Sequence, residues 1–298
     1  MRALLCETVT GRSMAELLAG RDAATAADMV ELRLDGVADV DVAAALRGRR
    51  MPAIVTCRPV WEGGRFDGSE EERRQLLVEA LACGAEYVDV EWRAIREDSG
   101  LGGFGDLVST HPPRVVVSAH DFDGVPADPC AQARMMRTTG ASVIKVAIHA
   151  RRLSDTLPLL DVARTGDASV IGMGDAGVPT RLLASRFGSR WTYAGAAVAP
   201  GQIPAARMVE SFRFRDIGPR TVLYGAAGEH VMESGVPERF NAAFAEAGVD
   251  AVCVPLCAAD VDDLATFKSA FGFAGVVNAG AAADAIARLV TAWTEQAR

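Results

Sequence analysis

Residues 141–147 read Ala-Ser-Val-Ile-Lys-Val-Ala and place Lys145 inside an otherwise apolar run. The run has the length and the β-branched content of a buried strand. A lysine near a strand end can carry its ammonium to water while its stem packs, which is the ordinary structural explanation. In dry surroundings, by contrast, a lysine amine loses its proton readily and can attack a carbonyl carbon.

The preceding strand-like run favours the second explanation. Residues 114–122 read Arg-Val-Val-Val-Ser-Ala-His-Asp-Phe and bring His120 to the end of a strand. If the two runs are neighbouring parallel strands, His120 and Lys145 emerge side by side at one edge of the sheet. The imidazole could then move protons beside the amine. This interpretation requires an unprotonated Lys145 in apolar surroundings, and a permanent ion pair at its nitrogen would contradict it.

Short apolar runs alternate with longer amphipathic runs over the first two thirds of the chain, which is typical of parallel strands joined by helices. The pattern predicts strands at residues 3–7, 29–34, 53–56, 87–91, 115–118, 142–147, 169–173 and 191–193. It predicts helices at 13–19, 41–46, 69–83, 128–139, 154–164 and 178–187, and only a short helix within 96–113. Eight strands close a (β/α)8 TIM barrel, so we expect an α/β fold of that type.

The alternation pauses near residues 212–219 and then restarts. It predicts strands at 220–224, 251–255 and 275–278 and helices at 237–247, 261–271 and 281–296. We therefore expect a barrel domain over residues 1–215 and a small C-terminal α/β domain over residues 219–298.

Composition narrows the class of protein. The chain has 298 residues, half of them hydrophobic, and a net charge of -8, which argues against nucleic acid or an acidic membrane as the main partner. No run is long enough to span a bilayer, and the amino terminus does not resemble a signal peptide. Six scattered cysteines lack metal-ligand spacing. We expect a soluble, cytoplasmic protein with reduced thiols and no metal site.

Functional side chains are expected at one rim, because chemistry in a (β/α)8 barrel gathers at the carboxyl ends of the strands. The candidates there are Glu31, Arg33, Arg58, Glu62, His120, Lys145, Met173, Arg181 and Gln202. A structural ion pair explains Glu31 and Arg33 equally well, and the glycines after Glu62 commonly mark only a tight turn. Together, however, the candidates indicate a site for a small, polyhydroxylated, anionic substrate that bears a carbonyl.

These residues carry a resemblance to a known family. The motifs are Glu-Leu-Arg-Leu-Asp at 31–35, Thr-Cys-Arg with Glu-Gly-Gly at 56–64, Glu-Tyr-Val-Asp-Val-Glu at 86–91, Ser-Ala-His-Asp-Phe at 118–122, Ile-Lys-Val-Ala at 144–147, Gly-Met-Gly at 172–174 and Ala-Pro-Gly-Gln-Ile at 199–203. In this order, over residues 1–213, the chain resembles type I 3-dehydroquinate dehydratases. The resemblance implies conversion of 3-dehydroquinate to 3-dehydroshikimate and water in the shikimate pathway, without metal or cofactor.

The resemblance also implies a role for each candidate. Lys145 would form the Schiff base and His120 would be the general acid and base, with Glu62 supporting the histidine. The ring hydroxyls would be held by Glu31, Arg33 and Arg58, the carboxylate by Arg181 and Gln202, and Met173 would contact the substrate. Family analogy further suggests a homodimer. One departure is Val198, where the family usually has serine or threonine, and we expect this change to weaken substrate binding.

The C-terminal part carries a second resemblance. Residues 221–225, 240–244, 248–255 and 272–275 resemble the opening of the substrate-binding domain of shikimate dehydrogenase. The paired serines that grip shikimate in that family correspond here to Ser234 and Val236, and no Gly-x-Gly-x-x-Gly fingerprint follows a strand. The resemblance therefore implies a truncated domain without dehydrogenase activity, whose simplest role is to pack against the barrel.

Two alternatives remain open. A Schiff-base class I aldolase on the same barrel would share a strand-borne lysine, although it would not explain the ordered motifs. A non-catalytic protein that senses a pathway metabolite would use the same pocket without the reaction, although decayed enzymes usually lose the residues corresponding to Lys145, His120 and Glu62 first.

Overall fold

Eight parallel strands form a nearly closed barrel in the computed structural model, which describes residues 2–97, 102–195, 201–228 and 230–281. The strands are β1 (Leu4–Val9), β2 (Met29–Arg33), β3 (Ala53–Thr56), β4 (Tyr87–Glu91), β5 (Val115–Asp121), β6 (Val143–His149), β7 (Ala168–Met173) and β8 (Trp191–Ala194). They pair in the order β7-β6-β5-β4-β3-β2-β1-β8. The backbone N–H of Arg190 donates to the carbonyl of Ala168 at 2.7 Å, which links the two end strands. The predicted TIM-type α/β fold is confirmed.

Helices follow most strands and cover the barrel. They are α1 (Met14–Ala23), α2 (Val42–Leu46), α3 (Glu70–Ala82), α4 (Trp92–Glu97), α5 (Phe104–Thr110), α6 (Pro129–Arg137), α7 (Pro158–Arg164), α8 (Val178–Leu182), α9 (Ala184–Phe187) and α10 (Ala205–Glu210). Ser69 and Glu72 form a reciprocal capping box at the start of α3, as their spacing in the sequence indicates. The short helix predicted within residues 96–113 is confirmed as α5, whereas α4, which begins directly at the end of β4, was not predicted. Within the described ranges, no helix has both the length and the apolar character needed to cross a bilayer.

The alternation of side chains along the strands divides the barrel interior into two levels. Near the amino ends of the strands, Met29, Ile54, Val116 and Trp191 fill the interior with apolar side chains. Near the carboxyl ends the interior holds buried charged groups, described below. The outward-facing residues of the same strands pack against the helices. The apolar layer therefore closes the bottom of the barrel, and a polar cavity can lie above it at the carboxyl ends of the strands.

The C-terminal part forms a second parallel sheet. Its elements are β9 (Val222–Ala227), α11 (Val236–Glu246), β10 (Ala251–Leu256), α12 (Val261–Phe271) and β11 (Gly275–Asn278), with strand order β10-β9-β11. The helix predicted over residues 281–296 lies, beyond its first residue, outside the described part of the chain. Buried apolar residues of this part, among them Leu223, Val254 and Phe267, belong to the same hydrophobic cluster as the barrel core. The second sheet is thus packed directly on the barrel.

Candidate active site

The strands β5 and β6 bring His120 and Lys145 to one cavity. Their register pairs Ser118 with Lys145 and His120 with Ala147, so both functional side chains point into the barrel from adjacent strands. The cavity has a volume of about 190 Å³ and opens at the carboxyl ends of the strands. It is also lined by the other candidates, Glu31, Arg33, Arg58, Glu62, Met173, Arg181 and Gln202. The predicted meeting of these residues at one rim is therefore confirmed, while their individual roles remain predictions.

The amine of Lys145 lies among charged groups. Its Nζ atom is 3.0 Å from Oε1 of Glu31 and 3.2 Å from Oδ2 of Asp89, and it lies 4.2 Å from the ring centroid of Tyr193. Burial acts to raise the pKa of Asp89, but the Arg58 guanidinium and the Lys145 ammonium hold it well below its usual range. The expectation of apolar surroundings for this amine is therefore wrong, because the carboxylates of Glu31 on β2 and Asp89 on β4 point at it.

Arg58 lies at the centre of a buried ion-pair network. Its guanidinium is 3% exposed and donates to Asp89 at 2.9 Å, to Glu91 at 2.7 Å and to the hydroxyl of Ser118 at 2.8 Å. The second oxygen of Glu91 accepts from Arg73 of α3. Buried charges persist when they are paired in this way. Since three of its five donors are taken, Arg58 has little capacity left for a ligand, and its predicted contact with ring hydroxyls stays a prediction.

Glu62 positions the imidazole of His120. One carboxylate oxygen lies 3.3 Å from Nδ1 and also accepts the backbone N–H of His120 at 3.0 Å. Phe122 stacks on the imidazole, with ring centroids 6.2 Å apart. Burial raises the pKa of the Glu62 carboxyl to about 7, although the Arg58 guanidinium opposes the rise. Burial, with the positive charges of Arg58 and Lys145, lowers the pKa of His120 well below its usual value. The imidazole is therefore neutral near pH 7 and can accept a proton.

Arg181 presents a buried guanidinium without a carboxylate partner. The side chain is 2% exposed, its Nη1 donates to the carbonyl of Tyr193 at 3.1 Å, and its Nε has no hydrogen-bond partner. No carboxylate of the described residues lies within ion-pair distance of it. Burial lowers the pKa of Arg181 to about 10. An unpaired buried charge is unfavourable, so this side chain is suited to an anionic ligand in the cavity.

Arg33 and Gln202 complete the wall of the cavity. The guanidinium of Arg33 forms two hydrogen bonds with Asp35, at 2.7 and 2.8 Å, which leaves part of its edge facing the cavity. The amide Nε2 of Gln202 lies 3.4 Å from the hydroxyl of Thr8. Val198 and the first two residues of the Ala-Pro-Gly-Gln motif lie outside the described residues, so the expectation for Val198 stays a prediction.

Sequence reasoning gave no role to several side chains that shape the site. Asp89 and Glu91 lie inside one of the quoted motifs, and their spacing of two residues in an apolar strand was the signal that both point into the barrel. Ser118 carried the same signal, since it lies in a quoted motif two residues before His120, whereas Tyr193 lies in none of the motifs. Across the described ranges, no group of three or more His, Cys, Asp and Glu side chains is arranged to hold a metal ion. The expectation of no metal and no cofactor stays a prediction.

Comparisons with known proteins agree with this geometry. Residues 5–219 match the family described as type I 3-dehydroquinase. A chloroplastic bifunctional 3-dehydroquinate dehydratase/shikimate dehydrogenase of Arabidopsis thaliana is 32% identical over 293 residues, covering 91% of this chain and 47% of the plant protein. A 3-dehydroquinate dehydratase of Methanocaldococcus jannaschii is 32% identical over 197 residues, covering 64% of this chain and 89% of the relative. The crystal structure of 3-dehydroquinate dehydratase from Geobacillus kaustophilus HTA426 has a TM-score of 0.62 and 27% identity, covering 70% of this chain and 89% of that one.

The extent of these matches differs between the two parts of the chain. The chain spans about half the length of the plant relative, at 47%, and most of the archaeal one, at 89%. The alignment with the plant protein covers 91% of the chain and so extends beyond residue 219 into the C-terminal part. The family match itself covers most of the barrel. The chain therefore belongs to the type I 3-dehydroquinase family.

Proposed function

We propose that this protein is a 3-dehydroquinate dehydratase, which converts 3-dehydroquinate to 3-dehydroshikimate and water in the shikimate pathway. The observation that carries the proposal is the joint presence in one cavity of the Lys145 amine, the His120 imidazole and the Arg181 guanidinium, which has no carboxylate partner among the described residues. These three groups match a ketone, an acidic C–H bond and a carboxylate on one small molecule. Family membership supports the same reaction.

Substrate binding begins with the carboxylate. Arg181 has no carboxylate partner among the described residues and its Nε is unbonded, so a carboxylate that reaches it would gain a charge-assisted hydrogen bond. Gln202 would donate its amide to the same carboxylate, and Arg33 would bind a ring hydroxyl. The ketone then reaches Lys145 deeper in the barrel, where the cavity floor begins.

Lys145 condenses with the ketone, and loss of water from the adduct gives a cationic iminium. An ammonium cannot attack, so a proton must leave first, and the carboxylates of Glu31 and Asp89 are within reach to accept it. The iminium carries the same single positive charge as the ammonium. The two carboxylates therefore stabilise both species, and the ion pairs change the route to the Schiff base without preventing it.

His120 then moves the proton. The iminium withdraws electrons from the neighbouring carbon, which makes its C–H bond acidic enough for a neutral imidazole to break. The Nδ1 atom faces Glu62, so Nε2 is the nitrogen left to accept the proton. The same imidazole protonates the departing hydroxyl, which leaves as water, and hydrolysis of the product iminium frees Lys145. Positioned proton transfer of this kind contributes about 10²- to 10⁴-fold to the rate.

We also propose a domain boundary between residues 215 and 219, a C-terminal domain without dehydrogenase activity, a homodimer and a cytoplasmic location. The end of the family match at residue 219 supports the boundary. The lack of dehydrogenase activity is inferred from the missing Gly-x-Gly-x-x-Gly fingerprint, the homodimer from family analogy, and the location from composition. Oxidation of shikimate with NADP by the purified protein would contradict the proposal that the C-terminal domain lacks dehydrogenase activity.

The direct test is dehydration of 3-dehydroquinate by the full-length protein, followed by the absorbance of the enone product. We expect activity in the wild type and none in Lys145→Met, while Lys268→Met, which changes the only other lysine of the chain, keeps full activity. Binding of dehydroquinate without enone formation would instead support a metabolite sensor. Carbon–carbon cleavage of other carbonyl substrates would support an aldolase.

A further inference from the structure

Helix α10 connects the cavity to the C-terminal part. Gln202 lies two residues before Pro204, the residue that precedes the helix at Ala205. One side of α10 is buried against the barrel through Ala205 and Met208. The backbone before the helix has little freedom, because a Cβ at Gly201 would lie 2.5 Å from the carbonyl oxygen of Gly174. Gln202 is therefore held between two points, the barrel at Gly174 on one side and the start of α10 on the other.

The other side of α10 is held by the C-terminal part at two points. Arg207 donates to Oε1 of Glu238 in α11, at 3.2 Å from Nε and 2.6 Å from Nη2, and Nη2 also donates to the carbonyl of Met232 at 2.8 Å. One turn further on, the side chain of Asn241 donates to the carbonyl of Ser211 at 3.0 Å. Both contacts come from α11 or the turn before it.

A second cavity marks the same junction. It has a volume of about 400 Å³ and is lined by Gly201, Gln202 and Arg207 on the barrel side and by Met232 and Glu238 on the other. Gln202 thus lines both the active-site cavity and the cavity at the junction with the C-terminal part. A change in the packing of α11 on α10 would therefore shift the Gln202 amide directly, with no other helix or strand in between.

We infer that the C-terminal part is a brace for substrate binding, and that Arg207 and Glu238 are positioning residues that hold Gln202 against the bound substrate. This inference rests on the proposed function, because it assigns the C-terminal part a role in the same site. It predicts an effect on KM that passes through the Gln202 amide, with the chemical groups at Lys145 and His120 unaffected.

The test is a double-mutant cycle in the full-length protein. Because each contact is a charge-assisted hydrogen bond that acts indirectly, Arg207→Met and Glu238→Ala should each raise KM by roughly three- to tenfold, with kcat changed less than about twofold. In the Gln202→Ala background neither change should raise KM further. Glu238→Ala guards against misfolding of the Arg207 variant, since the glutamate is partly exposed.

The matched control is Arg213→Met. Arg213 also joins the two parts, through the carbonyls of Val249 and Ala251 at 3.2 Å, but it lies beyond the far end of α10. We expect this variant to lose stability while its KM stays that of the wild type. The inference is overturned if Arg207→Met and Glu238→Ala raise KM equally in the wild-type and Gln202→Ala backgrounds. It is also overturned if they do not raise KM in an enzyme that is active. Neither result would affect the proposed function. A wild-type protein that does not dehydrate dehydroquinate would overturn the proposed function and the inference with it.

Discussion

Replacement of Glu62 by glutamine should make the protein more stable and less active at the same time. The side chain is 10% exposed, and one oxygen accepts the backbone N–H of His120 at 3.0 Å and faces Nδ1 at 3.3 Å. A glutamine oxygen can still accept the backbone N–H. What the substitution removes is a buried carboxyl group that ionises only as the pH rises through about 7.

The magnitude follows from the pKa of the carboxyl. Burial raises it from 4.5 to about 7 against the opposing charge of Arg58, and a rise of this size corresponds to about 3 kcal/mol. Between these two pH values the folded protein binds more protons than the unfolded chain, so the free energy of unfolding falls as the pH rises. Glu62→Gln lacks this slope. The free energy of unfolding of the variant should exceed that of the wild type by about 3 kcal/mol at pH 8 and should equal it near pH 4.5.

Activity should change in the opposite direction. The variant cannot offer a charge-assisted hydrogen bond to the imidazolium that forms during proton transfer, which is worth about 1.5–3 kcal/mol, or roughly 10- to 100-fold in kcat. In the wild type, activity should fall as the pH drops through about 7, because protonation of Glu62 removes the same support for His120. The variant should show no fall in that range.

Urea unfolding at pH 5 and pH 8 checks the predicted change in stability. Enone formation measured from pH 5 to pH 9 checks the predicted change in activity. Glu97→Gln is the control, since Glu97 is an exposed carboxylate in a helical ion pair and should change stability by less than about 0.5 kcal/mol at either pH. If Glu62→Gln is destabilised equally at both pH values, or keeps wild-type kcat, the reasoning is refuted.

Three further substitutions test other parts of the site. Arg181→Met should raise KM roughly 10- to 100-fold, because a charged contact to the substrate is lost, while the melting temperature does not fall, because no ion pair of the described residues is lost. Arg58→Met should lower the free energy of unfolding by about 3–5 kcal/mol in urea, because the buried carboxylates of Asp89 and Glu91 each lose one of their two cationic partners. Gly201→Ala should destabilise the protein more than Gly48→Ala in the same assay. Both residues have φ above +70°, but only a Cβ at Gly201 would meet backbone, at the carbonyl of Gly174.

The barrel and its rim could be predicted because both depend on local patterns. Strand periodicity located all eight strands to within a few residues, and the motifs identified all nine predicted residues that line the cavity. The surroundings of Lys145 could not be predicted in the same way. Its two carboxylate partners lie 114 and 56 residues away in the chain, so only the closed barrel brings them to the amine.

Two other features depended on contacts that periodicity does not report. Helix α4 begins at the residue after β4 without a capping residue or a turn, so no start signal separates the two elements. The contact between α10 and the C-terminal part relies on Arg207, which in the sequence is one of many arginines on a short helix. Its partner, Glu238, lies beyond the predicted domain boundary.

The most direct measurement is to trap the Schiff base. Full-length protein is incubated with 3-dehydroquinate and sodium borohydride, digested, and mapped by mass spectrometry. The chain offers only two lysines, Lys145 and Lys268, so the site of modification is read without ambiguity. The account predicts a reduced adduct on the peptide that contains Lys145 and none on the peptide that contains Lys268. Enone formation without any adduct at Lys145, or an adduct at Lys268 alone, would contradict it.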